Sequence, residues 1–413
     1  MKRPIAISLS PNASSEDVRL ARHLLFVHSY WNDRKALSRA AETLAVRFPR
    51  NFVTLASSGR QALYDLLKSF GVGRGDEVII QAFTCIAVPE PILWLHAKPV
   101  YADIADGSYS IDPEQVREKI TPNTKAIILQ HTFGIPGPIE EILALAKEHN
   151  IVVIEDCAHA LGATYQEKPL GTFGDGAILS FGRDKCVSSV FGGATLVKDK
   201  TRLHVLQAMQ QARKLPPKPW VAQQLFHPVF FSFILPLYFW HGVGKMLLVL
   251  AQKLNLISKA VAPEERATSR PSHFWYSYSP ALALLLIEQL KRLDADTLRR
   301  KEIVQRYQAE ITSLSSKEKT YTEGACYLRF PIRTPYAKQI LLDARAHGML
   351  LGDWYDAPLV PGASNMQAFG YVQGSCPRAE IVAKEIINLP TYSALSDNQV
   401  TKIIDFMNSY GNS

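Results

Sequence analysis

The sequence predicts an α/β fold built on a mostly parallel central sheet, and two observations carry that expectation. Between Glu77 and Val197, short β-branched runs alternate with helical patterns, as strands joined by crossover helices do. The candidate strands are Glu77–Ile80, Pro99–Asp103, Lys125–Gln130, Ile151–Glu155, Gly176–Phe181 and Ala194–Val197. The second observation lies between them. In Ile139–His149, the residues Ile139, Ile142, Leu143 and Ala146 recur with the 3.6-residue period of a helix. Sheets of this kind bind ligands beyond the carboxyl ends of their strands, so the chemistry is expected there.

At 413 residues the chain is longer than one core usually organises. A large domain over 1–290 and a smaller C-terminal α+β domain over 291–413 are expected. Ser279–Arg306 reads as one or more long helices, Ala325–Phe330 as a strand and Arg378–Ile387 as a helix. A composition of 47% hydrophobic and 20% charged residues excludes a disordered chain. The net charge of +8 is scattered, with no run of like charges, so nucleic acid is not an expected partner. Cys85, Cys157, Cys186, Cys326 and Cys376 are odd in number and lack C-x-x-C spacing, which predicts reduced thiols and no metal centre. The apolar stretch after Met1-Lys2-Arg3-Pro4 is too short for a secretory signal, and a cytoplasmic location is expected.

An apolar insertion over about 215–262 departs from this pattern. Pro219–Gly244 contains no Asp, Glu, Lys or Arg, and Phe230–Trp240 is almost wholly apolar and aromatic. Pro228 and Pro236 disfavour a straight spanning helix of about 20 residues. Lys214, Lys218, Lys245 and Lys253 flank the stretch. Two readings stand. Either the insertion packs against the protein body or between subunits, or it dips into a membrane surface with its cations near lipid headgroups. The second would place the protein peripherally at the inner face of the membrane.

Four segments suit a phosphate-bearing aldehyde cofactor. In Ser57-Ser58-Gly59-Arg60-Gln61, a small-residue turn opens a helix, whose first amides and dipole favour a phosphate. Taken alone, Ser58 is equally an ordinary helix cap. The run Glu155-Asp156-Cys157-Ala158-His159 ends a strand with adjacent carboxylates, one of which could pair with a protonated pyridine nitrogen. Ser180-Phe181-Gly182-Arg183-Asp184-Lys185 places a hydroxyl and a lysine just past a buried strand, where desolvation would free the amine for imine formation. In Gly73–Cys85, a turn and a buried strand lead to Phe83 and Cys85, and Phe83 could offer an aromatic face for a ring, although a core aromatic is the commoner role.

In this order and spacing the segments resemble the DegT/DnrJ/EryC1/StrS family of aminotransferases, over Thr54–Val197, Phe274–Asp294 and Arg378–Tyr392. The resemblance implies a fold-type-I enzyme dependent on pyridoxal 5'-phosphate, and a homodimer with its sites at the interface. It implies that Lys185 carries the cofactor as a Schiff base and moves the proton. Asp156 would hold the pyridinium, His159 the ring hydroxyl and Ser180 the phosphate, with the amides of Gly59, Arg60 and Gln61 cradling it and Cys85 beside the ring. The implied activity moves an amino group from an amino acid to a keto-sugar, nucleotide-linked, for surface polysaccharide or glycolipid synthesis. Sugar dehydration on the same cofactor, or a membrane-associated or regulatory relative without turnover, are the alternatives. The family usually has a small hydroxyl residue where Arg60 stands, Gln where His159 stands and often an aromatic where Cys85 stands. Its Asn-Tyr-Arg motif falls on Trp275-Tyr276-Ser277. The Arg60 guanidinium is the expected replacement for the lost phosphate contact.

Overall fold

A computed structural model describes residues 4–259, 261–314, 318, 322–361 and 365–410. Numbering strands of five or more residues in chain order gives β1 (Phe52–Ala56), β2 (Glu77–Gln81), β3 (Lys98–Ala102), β4 (Thr124–Gln130), β5 (Val152–Asp156), β6 (Gly176–Ser180), β7 (Gly193–Val197), β8 (Arg329–Arg333) and β9 (Ile386–Pro390). Helices of six or more residues up to the insertion are α1 (Ser15–Phe26), α2 (Lys35–Ala45), α3 (Gly59–Ser69), α4 (Pro89–Trp94), α5 (Pro113–Lys119), α6 (Ile139–His149) and α7 (Lys200–Gln211). Beyond these come α8 (Lys218–Ile234), α9 (Val243–Lys253), α10 (Pro280–Leu290), α11 (Leu293–Glu310), α12 (Ala337–Ala346), α13 (Pro377–Glu385) and α14 (Asp397–Asn408).

The central sheet has seven strands in the order β1-β7-β6-β5-β4-β2-β3. Pairing is parallel from β6 through β5, β4 and β2 to β3, while β7 runs antiparallel to both its neighbours. The predicted α/β class is therefore what the chain adopts. All six strands expected from the sequence form, with ends shifted by a residue or two. β1 is an addition: the run before Ser57 pairs with β7 along the sheet edge. In the tail, the strand expected over Ala325–Phe330 starts only at Arg329. The helix expected over Arg378–Ile387 stops at Glu385, where the chain enters β9.

Alternate strand residues point to opposite faces, and each face buries its own core. Ile79, Ile127, Leu129, Val153 and Leu179 pack on one side under α1, α2, α6 and α10. Val78, Ile80, Ala126, Ile128 and Ile178 pack on the other under α3, α4 and α13. Burial on both faces explains the nearly unbroken apolar runs that made these strands readable. A third core joins Ile303 and Tyr307 of α11, Phe330 of β8, Leu389 of β9 and Ile403 of α14, and Ile5 from the start of the chain closes it.

The insertion folds as a helical hairpin. α8 runs through Pro228, one of the two prolines that disfavoured a straight spanning helix, and ends in a 3-10 turn over Leu235–Leu237 that contains the other, Pro236. One face of α8 explains its persistence: Val221, Leu225 and Val229 belong to the main core, and such packing outweighs one missing backbone donor.

Beyond α7, Arg213 donates to both carboxylate oxygens of Asp65 in α3, at 2.6 and 2.5 Å, with both side chains nearly buried. Removing one partner of such a pair strands the other charge. Arg213→Leu is expected to cost about 3–5 kcal/mol in chemical denaturation. Arg213→Leu with Asp65→Leu should recover most of that loss, because no charge is then left behind.

Candidate active site

Strands β4, β5 and β6 end side by side, and their carboxyl termini open into a cavity of about 1040 Å³ including its mouth. Gly59, Arg60, Cys85, Asp156, His159, Ser180 and Lys185 all line it. Four segments separated in sequence by up to about 130 residues thus converge on one space. Gln61 does not. It is fully buried behind the helix start, its side-chain amide donates to the carbonyls of Phe274 and Tyr276, and its backbone N–H goes to Ser58 Oγ at 3.2 Å. Gln61 therefore braces the turn, and its amide is committed to the cap instead of a phosphate.

Local packing sets the cradle. The first amides of α3 have no partner within the helix, and Gly59 brings them against β6. A Cβ on Gly59 would lie 3.0 Å from Ser180 Cβ and 3.2 Å from Ser180 Oγ. Gly193 performs the same service from β7, where a Cβ would meet the Ser58 carbonyl carbon at 2.6 Å. Small residues thus hold the helix start and the Ser180 hydroxyl around one cleft, and that donor set fits a phosphate.

Lys185 sits on the loop joining β6 to β7. Ser180 pairs with Gly193, and the Phe181 N–H donates to the Gly192 carbonyl at 2.8 Å. Within the loop the Lys185 N–H donates to Gly182 at 3.1 Å, and Asn12 Nδ2 donates to the Lys185 carbonyl at 2.6 Å. The Lys185 Nζ lies 5.4 Å from the centre of the Trp354 ring. Burial pushes its ammonium below the ordinary lysine range, and the nearby Arg329 cation pushes the same way. Asp156 lines the same cavity, and its Oδ1 accepts from the Ala158 N–H at 2.9 Å. Burial raises its carboxyl, an effect opposed by that amide and by Lys185. A cationic ring nitrogen beside Asp156 would restore the ionised form.

Its neighbour Glu155 does something else. Burial alone would raise its carboxyl, but His131 and the amides of Gly174 and Gly171 hold it below the ordinary value. It also accepts from Phe173 at 2.7 Å, so it organises the loop before β6 and leaves Asp156 to the cavity. His159 is neutral, because burial and the Lys185 and Arg329 charges drive its pKa well down. Its Nδ1 accepts the Phe133 N–H at 3.2 Å, which leaves the proton on Nε2, 3.4 Å from the Tyr355 hydroxyl.

The remaining walls come from distant segments whose role the sequence reading missed. Trp354 stacks on His159 at 5.6 Å between ring centres, and Tyr355 follows it. Arg329 of β8 is 2% exposed, with its Cζ 3.4 Å from the centre of the Trp354 ring and no ion pair among the described residues. Phe83 is fully buried against Tyr355 and does not line the cavity. The Arg60 guanidinium is held by two buried carboxylates, Glu90 at 3.6 Å and Glu265 in direct contact. That pairing corrects the expectation that the guanidinium replaces a phosphate ligand. Burial holds Glu90 up at about 8 even so. Trp275 is about half exposed, meets Phe274 edge-on and lies under the Arg270 guanidinium, and the Ser277 hydroxyl donates to the Lys214 carbonyl.

The comparisons with known proteins follow the same outline. The profile of the DegT/DnrJ/EryC1/StrS aminotransferase family matches residues 32–215 and 263–408. The chain belongs to this family. The unmatched stretch coincides with the apolar hairpin. A UDP-N-acetyl-3-dehydro-α-D-glucosamine 3-aminotransferase of Acidithiobacillus ferrooxidans is 40% identical over 84% of this chain and 81% of its own. A pleiotropic regulatory protein of Geobacillus stearothermophilus is 29% identical over 84% and 83%. Among solved structures, PseC of Helicobacter pylori, an aminotransferase involved in pseudoaminic acid biosynthesis, superposes with a TM-score of 0.75 at 19% identity, over 99% of this chain and all of its own.

The family member described here is a pyridoxal-phosphate aminotransferase. Bound in this cavity, the cofactor supplies an electrophilic carbon for amines and a ring that withdraws electrons from the carbon losing its proton. Lys185, whose side chain lines the cavity, would supply the amine that holds the cofactor and the base that moves the proton. Asp156 would keep the ring nitrogen protonated, the Gly59 turn and Ser180 would hold the phosphate, and the neutral His159 would offer its Nε2 hydrogen to the ring hydroxyl. Trp354, Tyr355 and Val190 wall the cavity beside the amine and reduce its exposure to water.

Lys185→Ala is expected to be colourless beside a coloured parent, and borohydride should attach the cofactor only to the parent. Gly59→Ala forces Ser180 aside, and a loss of about 1–3 kcal/mol in cofactor affinity is expected by absorbance titration of the apoprotein. Arg329→Met removes a cation that disfavours ammonium at Lys185. The pH at which cofactor capture is half-maximal should therefore rise, read by absorbance across a pH series.

Proposed function

We propose that this aminotransferase moves nitrogen from an amino acid to the ketone of a nucleotide-linked sugar, in surface polysaccharide or glycolipid synthesis. The observation that carries the reading is one cavity holding a desolvated Lys185 and the buried Asp156, with the phosphate cradle of Gly59 and Ser180 at its edge. Amino transfer needs that lysine, whereas a dehydratase working without it would not. The Acidithiobacillus relative is named for a UDP-linked 3-keto-sugar, and its 40% identity over most of both chains supports an acceptor of that class.

The protein works in this reading as a homodimer, with the Trp275–Ser277 segment reaching toward the partner's cofactor where other members place Asn-Tyr-Arg. It works in the cytoplasm, at the inner face of the membrane. The half-exposed Trp275 beside the cavity-bracing Gln61 contacts supports the first point.

The test is a two-stage reaction. Glutamate or glutamine, added to the purified coloured enzyme, should shift its absorption band to the pyridoxamine form. UDP-N-acetyl-3-dehydro-α-D-glucosamine should then restore the original band and yield the amino-sugar by mass spectrometry. Loss of water from the sugar with no response to the amino acid would sink the reading.

A further inference from the structure

The apolar hairpin presents its greasy side outward. Of eighteen large hydrophobic residues exposed among the described residues, eight fall between Phe233 and Leu256. On α9 the outward positions are Met246, Val249 and Leu250, spaced three and one residues apart on a single helical face. Met246 is 63% exposed, and Leu254, in the turn beyond, is 60% exposed. The inward face carries the small residues Gly244 and Ala251. A Cβ on Gly244 would sit 2.6 Å from the Tyr238 Cα, so α9 is seated tightly with its apolar face turned away from the protein. Trp240 stands at the tip, half exposed.

The charges around this face have one sign. Over residues 215–262 the chain contains Lys218, Lys245, Lys253 and Lys259, and neither Asp, Glu nor Arg. A two-fold contact between copies would set this all-cationic patch against itself, because an isologous interface meets its own residues. An anionic lipid surface complements it on both counts: acyl chains take the Met, Leu and Trp side chains, and headgroups take the lysines. Spanning is excluded by α8, whose Val221, Leu225 and Val229 are part of the protein core. A hairpin anchored in this way can lie on such a surface but does not cross it.

That surface adjoins the catalytic cavity. From the exposed Leu256 to the cavity-lining Val261 is five residues, at most about 18 Å of extended chain. Between them, Ser258 accepts Arg183, itself a lining residue, on both its carbonyl and its hydroxyl. Ser258 Oγ in turn donates to Gln224 of α8 at 2.6 Å.

We propose that α9 and the tip at Trp240 dock on an anionic phospholipid bilayer and hold the mouth of the cavity beside the lipid surface. This deepens the membrane-face location proposed above by naming the docking face and its partner. The full-length holoenzyme is floated with vesicles of phosphatidylcholine alone, and of phosphatidylcholine mixed with phosphatidylglycerol. The parent should float with the second and be released by high salt. Lys245→Glu with Lys253→Glu should reduce the floating fraction by more than about tenfold, and Met246→Glu with Leu250→Glu should abolish it. All of these changed residues are exposed, so the bound-cofactor absorbance and the response to glutamate without vesicles should stay as in the parent.

A parent that stays at the bottom with both vesicles overturns docking, and so do variants that float like the parent. An apolar-face variant that halves the particle mass in solution, with no parent flotation, assigns the face to self-association instead. Loss of the glutamate response in the parent with flotation intact would strike the enzymatic reading and leave docking standing.

Discussion

A largely desolvated amine and a buried carboxyl lining one cavity are the constraint around which this structure is arranged. Each group alone would be costly to bury, and each is shifted toward its neutral form by that burial. Brought to one cavity they are complementary to a ligand with an electrophilic carbon at one end and a basic ring nitrogen at the other. The strands that end there, the glycines at 59 and 193 and the stacked rings of Trp354 and His159 can all be understood as ways to keep these two groups near each other and dry. Arg329 adds to the same effect from behind Trp354, since a second buried cation disfavours a charged lysine.

Much of this was readable in the chain, for a physical reason. A strand buried on both faces must be apolar throughout, and the residues just past its end must supply the chemistry, so strand and site share a short segment. That is why Asp156, His159, Ser180 and Lys185 could be singled out before any fold was known. β1 escaped notice because Phe52–Ala56 runs straight into the small-residue turn and pairs only at the sheet edge. Arg329, Trp354 and Tyr355 escaped because nothing in their own neighbourhood marks them; tertiary packing alone brings them to residues far earlier in the chain, as when Tyr355 meets His159. Arg60 shows the opposite error. Its place at a helix start suggested a phosphate, but its partners are the buried carboxyl groups of Glu90 and Glu265. Gln61 was misassigned for a related reason, since its amide is consumed by Ser58.

The insertion illustrates what composition can and cannot fix. Its lack of charge signalled contact with something apolar, and its prolines argued against a straight spanning helix, yet packing against the core carries α8 straight through Pro228. The division of labour between its two helices, one buried and one turned outward, depends on Gly244 and Ala251 letting them approach closely, which no window average reveals.

The reversal of β7 has a mechanical consequence. Because that strand turns back beside β6, the segment carrying Lys185 is pinned at both ends, one at Ser180 and the other at Gly193, and is tied again at its middle by Asn12. A lysine that must repeatedly let go of a ligand and catch it again needs a still base and a moving arm. Here the base is anchored, so release and recapture need only rotation about side-chain bonds, among the fastest motions a protein has. The entropy of placing that base was met when the chain folded, and no turnover has to meet it again.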